Sequence, residues 1–593
     1  MPQYQPPLRD IRFVLHELLG VDQECRAIPA YSEVDAELID QVIEEGGKFC
    51  AEVLYPLNRS GDEEGCRYQG DGVVRTPAGF PEAWQQFAGA GWPSLTVDPV
   101  YGGQGLPKCV GIVMDEMMNS ANQAWTMYPG LTHGAYECLH AHGTEEQRKL
   151  YLPKLTSGQW LGTMCLTEPH CGTDLGLLRA RAEPQADGSY RISGTKIFIS
   201  SGEHDLTENI VHLVLARLPD APEGTKGVSL FIVPKFVPAA DGSLGERNGV
   251  KAARIEEKMG IHGNATCVLD FEQASGWLVG EPNRGLPAMF VMMNAARIGV
   301  GVQSLGQTVV AYQSALEYAC ERLQGRSLGG PKAPDKPADP IIVHPDVRRM
   351  LLTQKAYAEG GRAFAYWLAL MADRSLVHPD AQVRSDAEDM LALLTPVVKA
   401  FLTDNGFACT NLALQVYGGH GYIREWGVEQ HVRDSRINMI YEGTNTIQSL
   451  DLLGRKVLQD NGAKLRKFGA LVAAFVEAEG TREDMAEFVN PLAELGQKIE
   501  KLSLEIGMKA MQDPEEVGAA AVDYLRLIGH LVMSYFWARM ARIALDKAEE
   551  PFYRAKLATA RFYFARLYPE TAALLQSARS GAGTLMALEP ESF

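Results

Sequence analysis

The stretch Ser189-Tyr-Arg-Ile-Ser-Gly-Thr-Lys-Ile-Phe-Ile-Ser200 alternates in part between apolar and polar residues and is rich in residues that favour β-strands. Short apolar segments bounded by turn residues follow it and predict further strands at Asn209–Ala216, Gly227–Val233 and Ala265–Phe271. Together these segments indicate a β-domain of about a hundred residues, since strands separated by turn signals at such spacing build one sheet or barrel.

The sequence on either side of the β-domain has helical spacing. Apolar residues recur in this way from Val34 to about Leu155, and long helical patterns return from Pro287 onward. A loop rich in proline and glycine interrupts them at 329–340, after which Pro345 is typical of the first turn of a helix. Because helices and strands do not alternate, the order argues against a Rossmann domain. The predicted fold class is mainly α with a central β-domain.

A further helical segment follows Gly454 and continues to the C-terminus. One of its faces is apolar, because residues at steps of three and four are Leu492, Leu495, Ile499, Leu502 and Ile506. This stripe favours a packed antiparallel helical bundle over a membrane helix or a partner helix.

Composition and charge narrow the function classes. The chain has 593 residues with 56 basic and 74 acidic side chains, a net charge of −18 that disfavours a general nucleic-acid partner. The ten cysteines form no C-x-x-C pair, which argues against a disulfide framework, a zinc ribbon and an iron–sulfur site. We find no secretory signal in Met1–Asp10 and no apolar run near the roughly 18 residues that span a bilayer. These features predict a cytoplasmic protein without stable membrane insertion.

Two short motifs stand out as candidate functional elements. Leu166-Thr-Glu-Pro-His-Cys-Gly-Thr-Asp174 offers two threonine hydroxyls and a glycine turn, which suit a phosphate or a polar ring edge, although an ordinary turn with Asp174 as a cap explains it equally well. Tyr441-Glu-Gly-Thr-Asn445 contains a carboxylate outside any metal-ligand spacing, either a general base or a solvated glutamate near a helix start. We predict no metal site. Taken alone, the glycine-rich stretches at 101–105 and 417–422 are tight loops.

The order of these motifs resembles the acyl-CoA dehydrogenase family over roughly residues 35–455. The resemblance rests on the two motifs above and on Lys196-Ile-Phe-Ile-Ser200, Glu321-Arg322 and Gln415-Val-Tyr-Gly-Gly-His-Gly-Tyr422. The beginning of the chain and its helical tail resemble the long bacterial branch, which includes fatty acyl-CoA and 3-methylmercaptopropionyl-CoA dehydrogenases. The resemblance implies an N-terminal extension at 1–34, a helical domain at 35–160, a β-domain at 161–285, a helical bundle carrying the catalytic base at 286–455 and an extra helical domain at 464–593.

The resemblance also implies a cofactor, FAD, and a role for each matching residue. Glu442 matches the base that removes the α-proton of an acyl-CoA thioester. The positions that match flavin contacts are Leu166, Thr167, Gly172, Thr173, Phe198, Ser200, Arg322, Gln415, Gly418, Gly419, Thr444 and Thr446. Of these, Arg322, Gln415, Gly418 and Gly419 match residues that serve the FAD of a neighbouring subunit. The positions that match substrate contacts are Thr173, Arg297, Tyr441 and Gly443.

The implied function is dehydrogenation of an acyl-CoA to the trans-2-enoyl-CoA, with electrons passed to an electron-transferring flavoprotein and fatty acid β-oxidation as the setting. A 3-methylmercaptopropionyl-CoA dehydrogenase and an acyl-CoA oxidase that uses oxygen are the alternatives. A DNA-binding relative is disfavoured by the net charge, and a structural subunit is disfavoured by the intact base and flavin positions. His170, Cys171 and Thr446 depart from the residues common in the family. We expect a homodimer, since the tail helices would cover the surface at which shorter relatives form tetramers.

Overall fold

The computed structural model describes residues 4–593, which divide into two compact units. The first, called the helical unit, comprises the chain up to Gly47, Pro107–Glu116 and Val300–Phe593. The second, called the β-domain unit, comprises Lys48–Leu106 and Met117–Gly299. The predicted order of helices, a β-domain, helices and an additional helical tail is confirmed.

Helices account for most of the secondary structure. In chain order they are α1 (Leu8–Arg12), α2 (Val21–Ala27), α3 (Ala36–Phe49), α4 (Pro56–Glu64), α5 (Phe80–Gly89), α6 (Lys108–His142), α7 (Glu145–Thr156), α8 (Gly285–Glu321), α9 (Pro345–Val377), α10 (Ala381–Tyr417), α11 (Val428–Arg436), α12 (Asn445–Leu450), α13 (Ala463–Glu479), α14 (Ala486–Ala510), α15 (Glu515–Leu545), α16 (Pro551–Phe562) and α17 (Glu570–Arg579). α9 begins at the predicted proline, whose fixed φ suits a first helical turn.

The strands lie in the β-domain unit. In chain order they are β1 (Arg67–Gly70), β2 (Val73–Arg75), β3 (Trp160–Cys165), β4 (Arg181–Pro184), β5 (Tyr190–Ser200), β6 (Asn209–Arg217), β7 (Val228–Pro234), β8 (Phe236–Pro238), β9 (Leu244–Arg247), β10 (Val250–Ile255) and β11 (Thr266–Val279). A seven-stranded sheet runs β10-β11-β5-β4-β6-β3, and β7 pairs with both β11 and β6. That double pairing bends the sheet around a core that includes Ile192, Val214, Phe231 and Leu269.

The four segments named from sequence are strands, and β11 is longer than predicted. The sequence pattern ends at Phe271, whereas the strand continues to Val279 through a register shift between Phe271 and Ala274. Gln273 lies inside this irregularity with a φ of 52°. A bulge of this kind interrupts the alternation of apolar and polar side chains, so the strand pattern in the sequence ends before the strand itself does.

The tail helices pack within the helical unit. All five residues of the apolar stripe are buried on α14, which packs against α15. α15 in turn packs against α9 and α10, where the rings of Phe536 and Phe364 stack with centroids 6.3 Å apart. The predicted packed bundle is therefore confirmed.

The expectation that no apolar segment approaches membrane-spanning length is wrong for two helices. Windows of 18 residues in α8 and α15 have mean hydropathies of 1.3 and 1.2, long and apolar enough to cross a bilayer by composition. Half of the first window and 67% of the second are buried inside the protein. Such apolarity is what a core helix of a bundle requires, because it is hydrophobic all round.

Candidate active site

In the β-domain unit, the loop after β3 lies against the end of β5. The Ile197 N–H donates to the Thr167 carbonyl over 2.9 Å, which places two of the family motifs side by side. Lys196 reinforces the contact, because its Nζ donates to the Leu166 carbonyl at 3.0 Å and to Glu168 Oε1 at 2.8 Å. The structure thus brings together the Leu166–Asp174 loop and the Lys196–Ser200 segment.

The Lys196–Glu168 pair supports this loop, and neither residue was predicted to have a role of its own. The Lys196 side chain is fully buried, and burial lowers its pKa. Burial opposes ionisation of Glu168 too, but the Lys196 charge and the amides of Arg179 and Ala180 hold the pKa of Glu168 below its usual value. A lysine within an otherwise apolar strand end was the available signal, since a buried ammonium needs a partner.

The loop and the strand end present an exposed aromatic ring beside free hydroxyls. The Phe198 side chain is 60% exposed and its φ is 59°, a conformation that is uncommon for a bulky residue. Within residues 4–593, no hydrogen bond involves the hydroxyls of Thr167, Thr173 or Ser200. A planar ring with hydrogen-bonding edges, such as the isoalloxazine of FAD, fits a surface of this composition.

His170 and Cys171, which depart from the family pattern, have structural contacts. The ligand atoms of Glu168, His170 and Cys171 lie within 4.8 Å of one another. Glu168 is already engaged by Lys196 and two amides, and His170 Nε2 donates to the Leu177 carbonyl at 2.9 Å. Burial raises the pKa of the Cys171 thiol, which disfavours the thiolate that metals bind. Glu168 and His170 therefore brace the turn through hydrogen bonds, and Cys171 packs in the buried core.

In the helical unit, Glu442 lies in a backbone conformation that few non-glycine residues adopt. Its φ is 58°, and Gly443 follows with a φ of 82°. A side chain at position 443 would also meet Gln448 Nε2 at 2.8 Å, so this position requires glycine. Two consecutive left-handed residues cost about 1–3 kcal/mol for the non-glycine member and persist only where neighbouring contacts impose them.

Hydrogen bonds from two side chains impose this conformation. Gln448 Nε2 donates to the Glu442 carbonyl at 3.1 Å and to the Gly443 carbonyl at 3.3 Å. Lys399 Nζ, fully buried on α10, donates to the Gly443 carbonyl at 2.9 Å. The Tyr441 hydroxyl contacts the side-chain oxygens of Gln303 and Asn438, the latter at 3.0 Å. The loop that carries Glu442 is thus held from both sides while the Glu442 side chain stays partly exposed.

The ends of α8 and α10 form one exposed surface. The rings of Tyr318 and Tyr417 stack with centroids 4.1 Å apart, which brings the residues beyond the two helices together. Arg322 and Gln415 are exposed on this surface. No atom lies within 4 Å of the position that a Cβ would take at Gly418 or Gly419, and Gly418 has a φ of 59°. The structure therefore groups all four residues expected to serve a neighbouring subunit.

The remaining predicted positions differ in accessibility. Thr444 is half-buried at the start of α12 and makes no capping bond with its side chain, and Thr446 is exposed. Gly172 is exposed in the loop after β3. Arg297 is buried on α8 with its Nη1 3.4 Å from Asn294 Oδ1, so it is less accessible than the other predicted substrate contacts.

Comparisons with known proteins give the family. Family models match at residues 40–159 (acyl-CoA dehydrogenase, N-terminal domain), 163–274 (middle domain), 283–458 (C-terminal domain) and 468–589 (acetyl-CoA dehydrogenase C-terminal like). The 3-methylmercaptopropionyl-CoA dehydrogenase of Ruegeria pomeroyi is 43% identical over 580 residues, which cover 96% of this chain and 97% of that protein. The chain belongs to the acyl-CoA dehydrogenase family.

Other members of the family extend the comparison. The broad-specificity linear acyl-CoA dehydrogenase FadE5 of Mycobacterium tuberculosis is 36% identical over 99% of this chain and 98% of its own length. The solved structure of an acyl-CoA dehydrogenase complexed with FAD from Bacillus anthracis matches with a TM-score of 0.74 at 22% identity, covering 95% of this chain and 90% of that one. The acyl-CoA dehydrogenase family binds FAD, and the predicted family, enzyme class and fold are confirmed.

Proposed function

We propose that this acyl-CoA dehydrogenase family member oxidises an acyl-CoA thioester to its trans-2-enoyl-CoA, with Glu442 as the base and an electron-transferring flavoprotein as the electron acceptor. The observation that carries the proposal is the Glu442 loop: a carboxylate in a left-handed conformation, held by Lys399 and Gln448. Such a backbone conformation is strained, and strained residues cluster at functional sites, whereas a solvated surface glutamate needs no strained backbone.

The chemistry divides between the substrate, the cofactor and the chain. A thioester carbonyl acidifies its α-hydrogen only weakly, so a positioned carboxylate must accept that proton. Bound FAD would supply a hydride acceptor for the β-hydrogen. The Glu442 side chain takes the α-proton, and the Glu442 backbone N–H hydrogen-bonds the thioester oxygen, where negative charge develops. Tyr441 and Gly443, beside the base, match substrate contacts of the family, and Thr173 and Arg297 match further ones.

The flavin would be held by groups that the β-domain unit already presents. Thr167 and Ser200 would offer hydroxyls or backbone groups to the isoalloxazine edge, and the exposed Phe198 ring would offer it an aromatic face. Leu166 and Gly172 shape the loop, and Thr173 contributes a hydroxyl near the pyrophosphate. In the helical unit, Thr444 and Thr446 at the start of α12 match further FAD contacts of the family.

The substrate is a linear fatty acyl-CoA in this proposal, supported by the relative named for broad linear specificity. The 43% identity to a 3-methylmercaptopropionyl-CoA dehydrogenase favours the methylthio compound as the second candidate. A panel of acyl-CoAs of graded chain length together with 3-methylmercaptopropionyl-CoA separates the two. We expect the highest kcat/KM with a saturated linear chain when electron-transferring flavoprotein is the acceptor. A methylthio substrate preferred by tenfold or more identifies the alternative, and turnover supported by oxygen but not by the flavoprotein identifies an oxidase.

Arg322 provides a test of assembly. We propose a cytoplasmic homodimer in which Arg322, Gln415, Gly418 and Gly419 contact the FAD of the neighbouring subunit, because all four are exposed on one surface. Arg322→Ala should therefore lower FAD retention on gel filtration by about tenfold while leaving the melting temperature of the apoprotein unchanged, since a lost charge-assisted hydrogen bond costs about 1.5–3 kcal/mol. A wild-type protein that sediments as a monomer and retains FAD fully would contradict the assembly.

A further inference from the structure

The loop that carries Glu442 is linked to the C-terminal tail of the chain by a continuous series of polar contacts inside the helical unit. Lys399 Nζ donates both to the Gly443 carbonyl at 2.9 Å and to Asn445 Oδ1 at 2.8 Å. The Asn445 Nδ2 group donates to Asp404 Oδ1 at 2.6 Å. This orientation of the amide satisfies both neighbours, because the oxygen faces the ammonium and the NH₂ group faces the carboxylate.

The next contacts belong to the tail helices. Arg526 on α15 lies with its Nη1 4.0 Å from Asp404 Oδ2. Glu570 at the start of α17 fixes the Arg526 guanidinium, accepting from Nε at 3.0 Å and from Nη2 at 2.6 Å. His530 holds the other oxygen of Glu570 at 3.2 Å. Burial opposes ionisation of Glu570, but His530 and Arg526 lower its pKa to about 2, so Glu570 is charged at neutral pH.

Packing makes this series of contacts rigid. A Cβ at Gly529 would lie 2.1 Å from the Phe401 ring, so glycine lets α15 approach α10 at the turn that carries Lys399 and Asp404. The His530 ring meets the Phe401 ring edge-on with centroids 5.2 Å apart. α12, which begins three residues after Glu442, also packs directly on α15.

We propose that the C-terminal tail positions the catalytic base. In this proposal, which rests on the proposed function, Arg526 and Glu570 orient Asp404, and Asp404, Asn445 and Lys399 set the Glu442–Gly443 peptide. These are positioning residues, since none of them touches the reacting atoms. The tail therefore influences the rate of proton abstraction, in addition to contributing to the packed core of the helical unit.

The test compares Arg526→Leu with Arg542→Leu, a control on the same helix. Arg542 also pairs with carboxylates, Glu479 at 2.8 Å and Asp546, but it lies more than four helical turns from Arg526 and outside the series of contacts. In anaerobic stopped-flow with an acyl-CoA that reduces the wild-type flavin, we expect Arg526→Leu to lower the limiting reduction rate about tenfold. The apparent Kd of the acyl-CoA should change less than twofold, because small displacements of a reacting group affect the chemical step most strongly.

Two further measurements separate positioning from general destabilisation. Arg526→Lys, which keeps the charge, should recover most of the rate, whereas Arg542→Leu should leave it within twofold of wild type. Amide hydrogen exchange in the peptide 441–450 should accelerate in Arg526→Leu and not in Arg542→Leu. Should Arg526→Leu fail to fold, Glu570→Gln keeps the side-chain shape and should lower the limiting rate about threefold with the same faster exchange.

The outcomes are distinct. The proposal is overturned if Arg526→Leu reduces flavin within twofold of wild type, or if Arg542→Leu loses as much rate as Arg526→Leu. In both cases the proposed function stands, because wild type is reduced by acyl-CoA. If no acyl-CoA reduces the wild-type flavin, the proposed function fails and this inference fails with it.

Discussion

Glu442→Gln is expected to lower the rate of flavin reduction by acyl-CoA by about 10⁴-fold, the upper end of what a positioned general base contributes. The glutamine amide has nearly the shape of the glutamate carboxylate. The variant should also keep the left-handed backbone conformation, because the hydrogen bonds from Gln448 and Lys399 remain. It lacks the basic oxygen that accepts the α-proton. FAD content and acyl-CoA binding should stay within about threefold of wild type, because no contact of the flavin-facing residues is removed.

Stopped-flow absorbance of the flavin under anaerobic conditions measures the effect directly. Glu388→Gln is the matched control, since Glu388 is exposed on α10 and the same charge is removed away from the Glu442 loop. Bleaching of Glu442→Gln at a rate within tenfold of wild type would reassign the base to another carboxylate. A loss of FAD together with the loss of bleaching would instead show that Glu442 serves the fold of the site.

The features that the sequence predicted well depend on local patterns of residues. The period of the apolar residues predicted the strands β5, β6 and β7 and the buried stripe of α14, and Pro345 predicted the start of α9. The Tyr441–Asn445 motif predicted either a general base or a solvated glutamate near a helix start, and the structure adds that Glu442 has a left-handed backbone. Each of these depends on residues within a few positions of one another, where periodicity and turn chemistry carry the information.

The features that sequence did not predict depend on distant partners. Lys399 meets Gly443 from 44 positions away, and Lys196 meets Glu168 from 28 positions away. In both cases a lysine within an apolar segment indicates a buried charge that needs a partner, but the sequence does not show which distant residue that partner is. β11 was underestimated for another reason, since the irregularity at Gln273 interrupts the alternation on which the strand pattern depends.

The longest of these separations occur in a buried ionic cluster of the helical unit. Its members are three acids and three bases, so their formal charges cancel: Asp10, Glu116, Glu359, Lys355, Arg362 and Lys556. Arg362 Nε lies 3.0 Å from both oxygens of Glu116, and Lys556 Nζ lies 2.6 Å from Glu359 Oε2. Asp10, from the N-terminal helix α1, contacts both Arg362 and Lys556. The cluster therefore joins α1, α6, α9 and the tail helix α16.

Arg362→Met is expected to destabilise the helical unit by about 3–5 kcal/mol, the range found when one partner of a buried ion pair is removed. Methionine fills much of the space, but Glu116 and Asp10 then lose their shared cation in a site where Arg362 is only 2% exposed. Thermal unfolding should show a drop of several degrees or more in the transition of this unit. Arg561→Met is the control, because its pair with Glu487 is exposed and such pairs contribute about 0–1 kcal/mol. Equal melting temperatures for the two variants would contradict the prediction.

Acid should remove the same stabilisation in the wild type. Burial alone would raise the pKa of Asp10, but the Lys556 ammonium and the Arg362 guanidinium hold it well below its usual value. A carboxyl with a depressed pKa in the folded state contributes stability above its unfolded pKa of about 4, and this contribution is lost as the pH falls below that value. The gap in melting temperature between wild type and Asp10→Asn should thus be constant from pH 6 to 7 and narrow below pH 4. A gap that persists undiminished at pH 3 would show that Asp10 stabilises the fold through packing and neutral hydrogen bonds, because its charge would then contribute nothing that protonation removes.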